Sequence, residues 1–302
     1  MNEVKVELPK PEDLGMTVSF HKRGPGGLKT HQSASEKLRS TNGVTRKSRA
    51  KVTVDIFASD KLKEWNLRCG RLKSYIDRVC PPWGRDGRRF LAHALVSQFE
   101  SDTAPILHAI QESQEAFLAE VPHLKNRFKD EAGDLSDDIY FPEASELRPK
   151  FAVGIDYDVP TGTYDVRLGG LSDEHRSRYE QQVRKSEQGR IDGVVRHVTN
   201  IVEQRLTRIV QGMNDYHVDE KGKAHGVFRD SLIGNVREIA GLLEHWNITG
   251  NSEVDAVRKR LLTEVCPLDP SDLRKSEDKR KKLKGTAEDL LARVGQFGRK
   301  QD

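Results

Sequence analysis

The feature that most constrains this chain is a set of apolar stripes that recur every three or four residues. Leu62, Trp65, Cys69, Leu72, Ile76 and Val79 follow one another at spacings of 3, 4, 3, 4 and 3. Ile191, Val195, Val198, Val202, Leu206, Ile209 and Met213 do the same, widened by Val194, Ile201 and Val210. Leu232, Val236, Ile239, Leu243 and Trp246 form a third stripe. This spacing puts side chains on one face of an α-helix, whereas a strand alternates with a period of two. The second and third stripes are separated by the loop DEKGKAHG, so they predict an antiparallel helical hairpin. A helix with one apolar stripe leaves most of its surface polar. That agrees with a 302-residue chain that is only 35% hydrophobic and 32% charged. Runs of Val, Ile and Leu, which a buried parallel sheet needs, are missing, and this argues against a large α/β enzyme. The expected fold is mainly α: long antiparallel helices packed as helical hairpins in a coiled-coil-like bundle.

Between the stripes the pattern is mixed. Ser59 caps the first helix, and Pro81 and Pro82 stop it. Residues 87–101 read as a second helix, and Pro105 suits the first turn of a third, capped by Asp102 or Thr103. Pro122 is expected to kink or end that helix. FAVGIDYDVPTGTYDVRLG alternates around a PTG turn and predicts a small β-hairpin near 151–168. MTVSF (16–20) and KVTVDIF (51–57) read as short N-terminal strands that pair around a disordered basic loop. NITGNSEV (247–254) reads as a helix stop and a capped restart. A charged helix over about 272–295 carries Leu283, Leu290, Leu291 and Val294 as its apolar face. The expected organisation is therefore a basic, partly disordered segment (1–55), a helical lobe (56–131), a joint (132–171), a helical hairpin lobe (172–266) and a charged C-terminal helix or tail (267–302).

Net charge is only +4, but its distribution is uneven. Lys22 to Lys51 holds nine Lys/Arg and one acid, Glu36, and Arg274 to Lys300 holds ten against four. Basic ends favour nucleic acid or an acidic protein surface, and otherwise serve as solvated tails. Lys22, Arg23, Lys29, Arg46, Lys47, Arg49 and Lys51 are the candidate phosphate contacts. Aromatic residues interleaved among them, which stacking on single strands needs, are absent. Such a segment supplies salt-sensitive affinity and little base readout.

GPGGLKT (24–30) raises the question of a phosphate-binding P-loop, G-x-x-x-x-G-K-[ST]. Leu28 stands where the loop needs glycine, and HQSASEKL, which follows, has no core-facing pattern to hold a helix. A flexible basic loop is the preferred reading. The chain has no H-E-x-x-H and no G-x-S-x-G, so no catalytic residue is assigned. Asp134, Asp137, Asp138, Asp156, Asp158 and Asp165 could bind a cation but read better as the wet side of strand and loop. His197 flanks an apolar stripe, where a packed histidine is the simpler expectation. No cofactor or metal is expected. Three cysteines without close spacing argue against a disulfide framework or a zinc cluster. The opening MNEVKVELPKPEDLG is not a signal peptide, and no stretch approaches the ~20 apolar residues of a membrane span. The expectation is a soluble, cytoplasmic protein.

YFPEASELRPKF (140–151) resembles a Tyr-Pro-x-x-x-x-Leu-Arg-x-x-Phe element, with Phe141 inserted between Tyr140 and Pro142. FRDSLIGNVREIAGLLEHWNITGNSEV (228–254) resembles a Phe-Arg-x-Ser-x-x-x-Asn helix closing on Asn-x-Thr-Gly. Together, over about residues 55–265, they are similar to a family of uncharacterised phage and bacterial proteins, often encoded beside MoxR-type AAA+ ATPases and von Willebrand A-domain proteins. The resemblance implies a phage or phage-like origin and a non-enzymatic helical adaptor with an AAA+ or von Willebrand A-domain partner. The alternative is a nucleic-acid-binding accessory protein that takes DNA or RNA on its basic ends. Homo-oligomers are open, since helical stripes serve hairpins and dimers alike. Arg229, Asp230 and Asn235 are expected to make structural polar contacts, with Arg229 and Asn235 tying their helix to 140–151.

Overall fold

The computed structural model describes residues 14–47, 49–84, 86–158, 172–218, 223–226 and 228–297. It is mainly helical, with small antiparallel sheets. In chain order the elements are β1 (Gly15–Arg23), β2 (Leu28–His31), α1 (Gln32–Thr41), β3 (Val52–Asp55), α2 (Asp60–Val79), β4 (Arg89–Ala92), α3 (Val96–Ala132), α4 (Ala144–Leu147), β5 (Ala152–Asp158), α5 (Asp173–Asp215), β6 (His217–Val218), β7 (Ala224–His225), α6 (Ser231–Trp246), α7 (Ser252–Arg260), α8 (Pro270–Lys275) and α9 (Glu277–Phe297). The chain divides into two compact units interleaved in sequence. One comprises Met1–Val18, Asp77–Val96 and Tyr157–Asp302, and the other Ser19–Ile76 and Ser97–Asp156.

The first unit is built on the long stripe of α5. Ile191, Val194, Val198, Val202, Leu206, Ile209 and Met213 are all buried. They share one core with Ile233, Val236, Ile239, Leu243 and Trp246 of α6 and with Leu283, Ala287, Leu290 and Val294 of α9. Leu232 at the start of α6 lies against Gly212 near the end of α5. Trp246 at the other end of α6 lies against His197, ring centroids 6.3 Å apart, so the two helices run in opposite directions. The stop and restart at 247–254 has a clear cause. The Asn247 side chain bonds the Asn251 backbone twice, donating to its carbonyl and accepting from its amide, and the Asn251 side chain caps α7 by accepting from the Glu253 amide.

Two expectations for this unit are corrected. The C-terminal stretch is not a tail, because four α9 side chains are buried to 2% exposure or less. Its helix is also interrupted: Ser276 is extended (φ −120°, ψ 114°) and separates α8 from α9. The expected helix over 87–101 begins instead with β4, where Phe90, Leu91 and Ala92 are consecutively buried. β4 pairs antiparallel with β1, Gly15 opposite Ala92 through Val18 opposite Arg89. Pairing with a strand distant in sequence overrides the helical pattern of FLAHAL.

The second unit is an aromatic-rich core between α2 and α3. Trp65, Cys69, Leu72 and Ile76 of α2 are buried, as are Phe99, Ile110, Phe117, Val121, Leu124 and Phe128 of α3. α3 runs through both Pro105 and Pro122, so no new helix starts at the first and none ends at the second. A proline deprives the carbonyl four residues back of its partner. For Pro105 that carbonyl belongs to Ser101, which is exposed to water, and buried residues on both sides, Phe99, Thr103 and Ile110, anchor the helix. The 140–151 stretch supplies the lid of this core. Phe141 packs between Phe57 and Phe128 at 5.5 and 5.8 Å, and Phe151 lies 4.9 Å from Trp65. The inserted Phe141 is therefore a core residue, while Tyr140 is exposed and donates its hydroxyl to Glu146. Arg148 grips Glu115 through two bonds of 2.5 and 2.8 Å.

The sheet order β4-β1-β5 places β5 beside β1. The second strand of the hairpin expected near 151–168 lies outside the described residues, as does Asp165. The paired N-terminal strands are corrected: MTVSF belongs to β1, and VTVD, as β3, pairs antiparallel with β2. No helix among the described residues is long and apolar enough to cross a membrane.

Candidate nucleic-acid interface

The basic stretch expected to be a disordered loop is a folded β2–α1–β3 unit. Its cohesion comes from buried polar groups more than from an apolar stripe. The backbone needs that cohesion because a buried N–H or C=O without a partner is costly. Ser35, fully buried, donates its hydroxyl to the His31 carbonyl at 2.5 Å and accepts from the Val52 amide at 2.9 Å. One side chain thus joins the end of β2, the first turns of α1 and the start of β3. His31 caps α1 by accepting from the Ala34 amide at Nδ1. Arg39 donates to the Ala50 carbonyl at 3.1 Å, which holds the return from α1 to β3 against the helix.

This frame settles the P-loop question against nucleotide binding of that type. A P-loop lysine sits in the first turn of a helix below the phosphates. Lys29 lies within a strand, opposite Val54, and Thr30 lies opposite Thr53. The glycines serve packing: a Cβ on Gly24 would sit 2.6 Å from the Trp65 ring, and one on Gly27 would sit 2.6 Å from Asp55 Oδ1. Asp55 is engaged as a turn acceptor for the Phe57 and Ala58 amides.

The seven candidate contacts fall into two groups. Lys22 and Arg23 already have internal partners. Lys22 Nζ bonds Asn66 at 2.6 Å and lies 4.9 Å over the Trp65 ring, and Arg23 bonds the Pro149 carbonyl at 3.0 Å. Lys29, Arg46, Lys47, Arg49 and Lys51 are exposed. None of these five has a side-chain hydrogen bond or ion pair to another described residue. Lys37 on α1 is exposed in the same way and belongs with them. The frame residues Ser35, His31 and Arg39 were not singled out from sequence, since a lone buried serine leaves no periodic signal.

No family model matches this chain, and neither a curated protein nor a solved structure does.

The C-terminal cations behave differently. Arg274 pairs with Asp230 and lies over the Phe228 ring, Lys279 pairs with Asp272, Lys281 with Glu277, and Lys284 with Glu288. Arg280 is buried, with both its bonds to carbonyls of Leu273 and Arg274 and its guanidinium over the Tyr216 ring. Four of these C-terminal cations are thus paired with acids and a fifth, Arg280, with backbone carbonyls. The expectation of buried polar contacts near 228–235 is corrected as well. Arg229 and Asp230 are exposed, Asn235 is half-buried, and Asp230 makes its contact with Arg274.

The acidic residues weighed as a cation site are dispersed onto other partners. Asp156 bonds His21 at 3.0 Å, Asp158 bonds Arg88 at 2.9 Å, and Asp138 accepts from Ser33. Among the described residues no group of three or more His, Cys, Asp or Glu is placed to hold a metal ion. Cys69 and Cys80 are buried free thiols, and burial pushes the Cys80 thiol up to about 12.

Proposed function

We propose that this chain is a non-catalytic accessory protein that binds the phosphate backbone of nucleic acid through its β2–α1–β3 segment. The observation that carries the reading is the group of five exposed cations, Lys29, Arg46, Lys47, Arg49 and Lys51, without an acidic partner among the described residues. Their attraction to phosphate is not spent internally, unlike that of Arg274, Lys279, Lys281 and Lys284, which pair with acids. Phe57 is buried and Phe20 half-buried, so neither end of the segment offers a stacking platform. The binding is therefore electrostatic and tolerant of sequence. The test is fluorescence anisotropy of a mixed-sequence duplex over a range of salt. Five phosphate contacts predict a slope of log K against log[salt] of about −4.5. Reversing Arg46, Lys47, Arg49 and Lys51 to Glu should weaken binding at least tenfold (~1.4 kcal/mol or more). A salt-independent affinity, or a variant that binds like wild type, would refute the reading.

The adaptor reading, with an AAA+ ATPase or von Willebrand A-domain partner and a coiled-coil-like bundle as its scaffold, draws on one observation. Leu28, Leu38 and Leu67 of the second unit are exposed at 69%, 40% and 57%. Single exposed leucines are ordinary on protein surfaces and do not define a docking face. The reading therefore ranks second.

A further inference from the structure

The first unit contains a cavity of about 640 Å³ lined by Pro82, Gly84, Asp86, Lys185, Ser186, Gly189, Arg190, Gly193 and Arg196. We propose that this groove is a binding site for a ligand carrying two or three linked phosphates. It lies in the unit that does not hold the β2–α1–β3 segment, and the proposal does not depend on the nucleic-acid reading.

One wall is formed by Pro82, Gly84 and Asp86 in the connection between α2 and β4. Trp83 donates its amide to Arg88 and Phe90 donates to Pro81, which closes a short hairpin. The Trp83 and Phe90 rings lie 5.2 Å apart beneath it. Arg89 and Trp246 Nε1 bond the carbonyls of Asp77, Cys80 and Val79 at the end of α2. The end of α2, from which this connection departs, is therefore tied to the core. Gly84, with φ of +85°, takes a conformation that disfavours a side chain.

The other wall is α5. Lys185, Ser186, Gly189, Arg190, Gly193 and Arg196 recur at helical spacing and share one face. Lys185, Arg190 and Arg196 make no ion pair or side-chain hydrogen bond with another described residue. Asp86, the only acid among the described lining residues, is paired with Arg88 at 3.1 Å. The field in the groove is positive.

The glycines on α5 make the case for a ligand rather than a merely solvated helix. Glycine is among the poorest residues for a helix interior, and a helical glycine usually has a packing reason. Here a Cβ at Gly189 or Gly193 would meet nothing within 4 Å. Among the described residues no neighbouring segment requires them. They leave bare backbone facing open space, flanked by cations. The lining has no aromatic side chain to receive a base, so the phosphate chain is the part recognised. Lys185 and Arg196 are about 16 Å apart along the helix axis. One phosphate cannot meet both, whereas a chain of phosphates can be reached by their long side chains from either end.

The test is calorimetric titration of the full chain with tripolyphosphate at fixed ionic strength. Saturable binding of one tripolyphosphate per chain is expected. It should weaken at least tenfold in Arg190→Gln/Arg196→Gln, and equally in Gly193→Leu, which keeps the charges and fills the space. It should survive Arg46→Glu/Lys47→Glu/Arg49→Glu/Lys51→Glu, which separates this site from the nucleic-acid surface. Circular dichroism checks that each variant is folded. If Gly193→Leu does not fold, the Arg190/Arg196 pair decides. Wild-type affinity in the folded groove variants would overturn the proposal, as would equal competition by sulfate or loss of binding in the segment variant.

Discussion

His197 shows how one side chain can make the fold sensitive to pH. It flanks the α5 stripe against Trp246, and its Nε2 is buried without a hydrogen-bond partner among the described residues. Burial lowers its pKa from the ordinary 6.5, the nearby Arg89 lowers it further, and Asp77 opposes both. The neutral ring is therefore favoured in the folded state. Below pH 6.5 the unfolded chain takes up a proton that the folded chain resists, and stability falls as pH drops toward the lowered value. Above 6.5 the contribution is fully present. Urea midpoints at pH 7.5, 6.5 and 5.5 should show this fall in the wild type and a flatter profile in His197→Gln. Parallel profiles would mean that His197 does not carry the dependence. Sequence placed His197 beside a stripe and favoured packing over ligation. It could not show the missing partner, which depends on Trp246 and Arg89 arriving from other elements.

At the scale of elements, what was legible depended on whether the information was local. The stripes of α2, α5 and α6 could be read because three- and four-residue spacing is a property of one helix. β4 could not, since Phe90, Leu91 and Ala92 become a strand only through β1, some seventy residues earlier in the chain. α1 was missed for the opposite reason: it has almost no apolar pattern and is held by Ser35 and His31. The candidate cations were legible as a basic run, but not which of them would be spent internally, because Asn66 and Pro149 are distant in sequence. The apolar face of α9 was legible, but its role was not. The stretch read as a charged C-terminal helix or tail, whereas α9 shares the core of the α5 stripe. Leu290 is fully buried there. Leu290→Ala should accordingly cost about 2–5 kcal/mol, measured as a lowered urea midpoint. A loss under about 0.5 kcal/mol, the usual range for surface sites, would show that α9 is only loosely docked.

For the whole molecule, the net charge of +4 conceals the arrangement that matters. Attraction to a polyanion at physiological salt decays over about 8 Å, so a ligand responds to local charge and barely to the total. Lys279, Lys281 and Lys284 of α9 pair with acids of α8 and α9, whereas the five exposed cations of the β2–α1–β3 segment have no acidic partner among the described residues. Two variants with equal net charge separate local from global attraction. One reverses Arg46, Lys47, Arg49 and Lys51 to Glu; the other reverses Lys61, Arg71, Lys129 and Lys150, which are also exposed. If total charge governed binding, both would weaken duplex DNA binding alike. The local reading expects the first to lose at least tenfold and most of the salt slope, and the second to keep both within about twofold (~0.4 kcal/mol). Equal losses would move the interface away from the segment and leave general charge attraction as the explanation. The comparison also guards against a folding artefact, because Ser35, His31 and Arg39, which hold the segment together, are untouched in either variant.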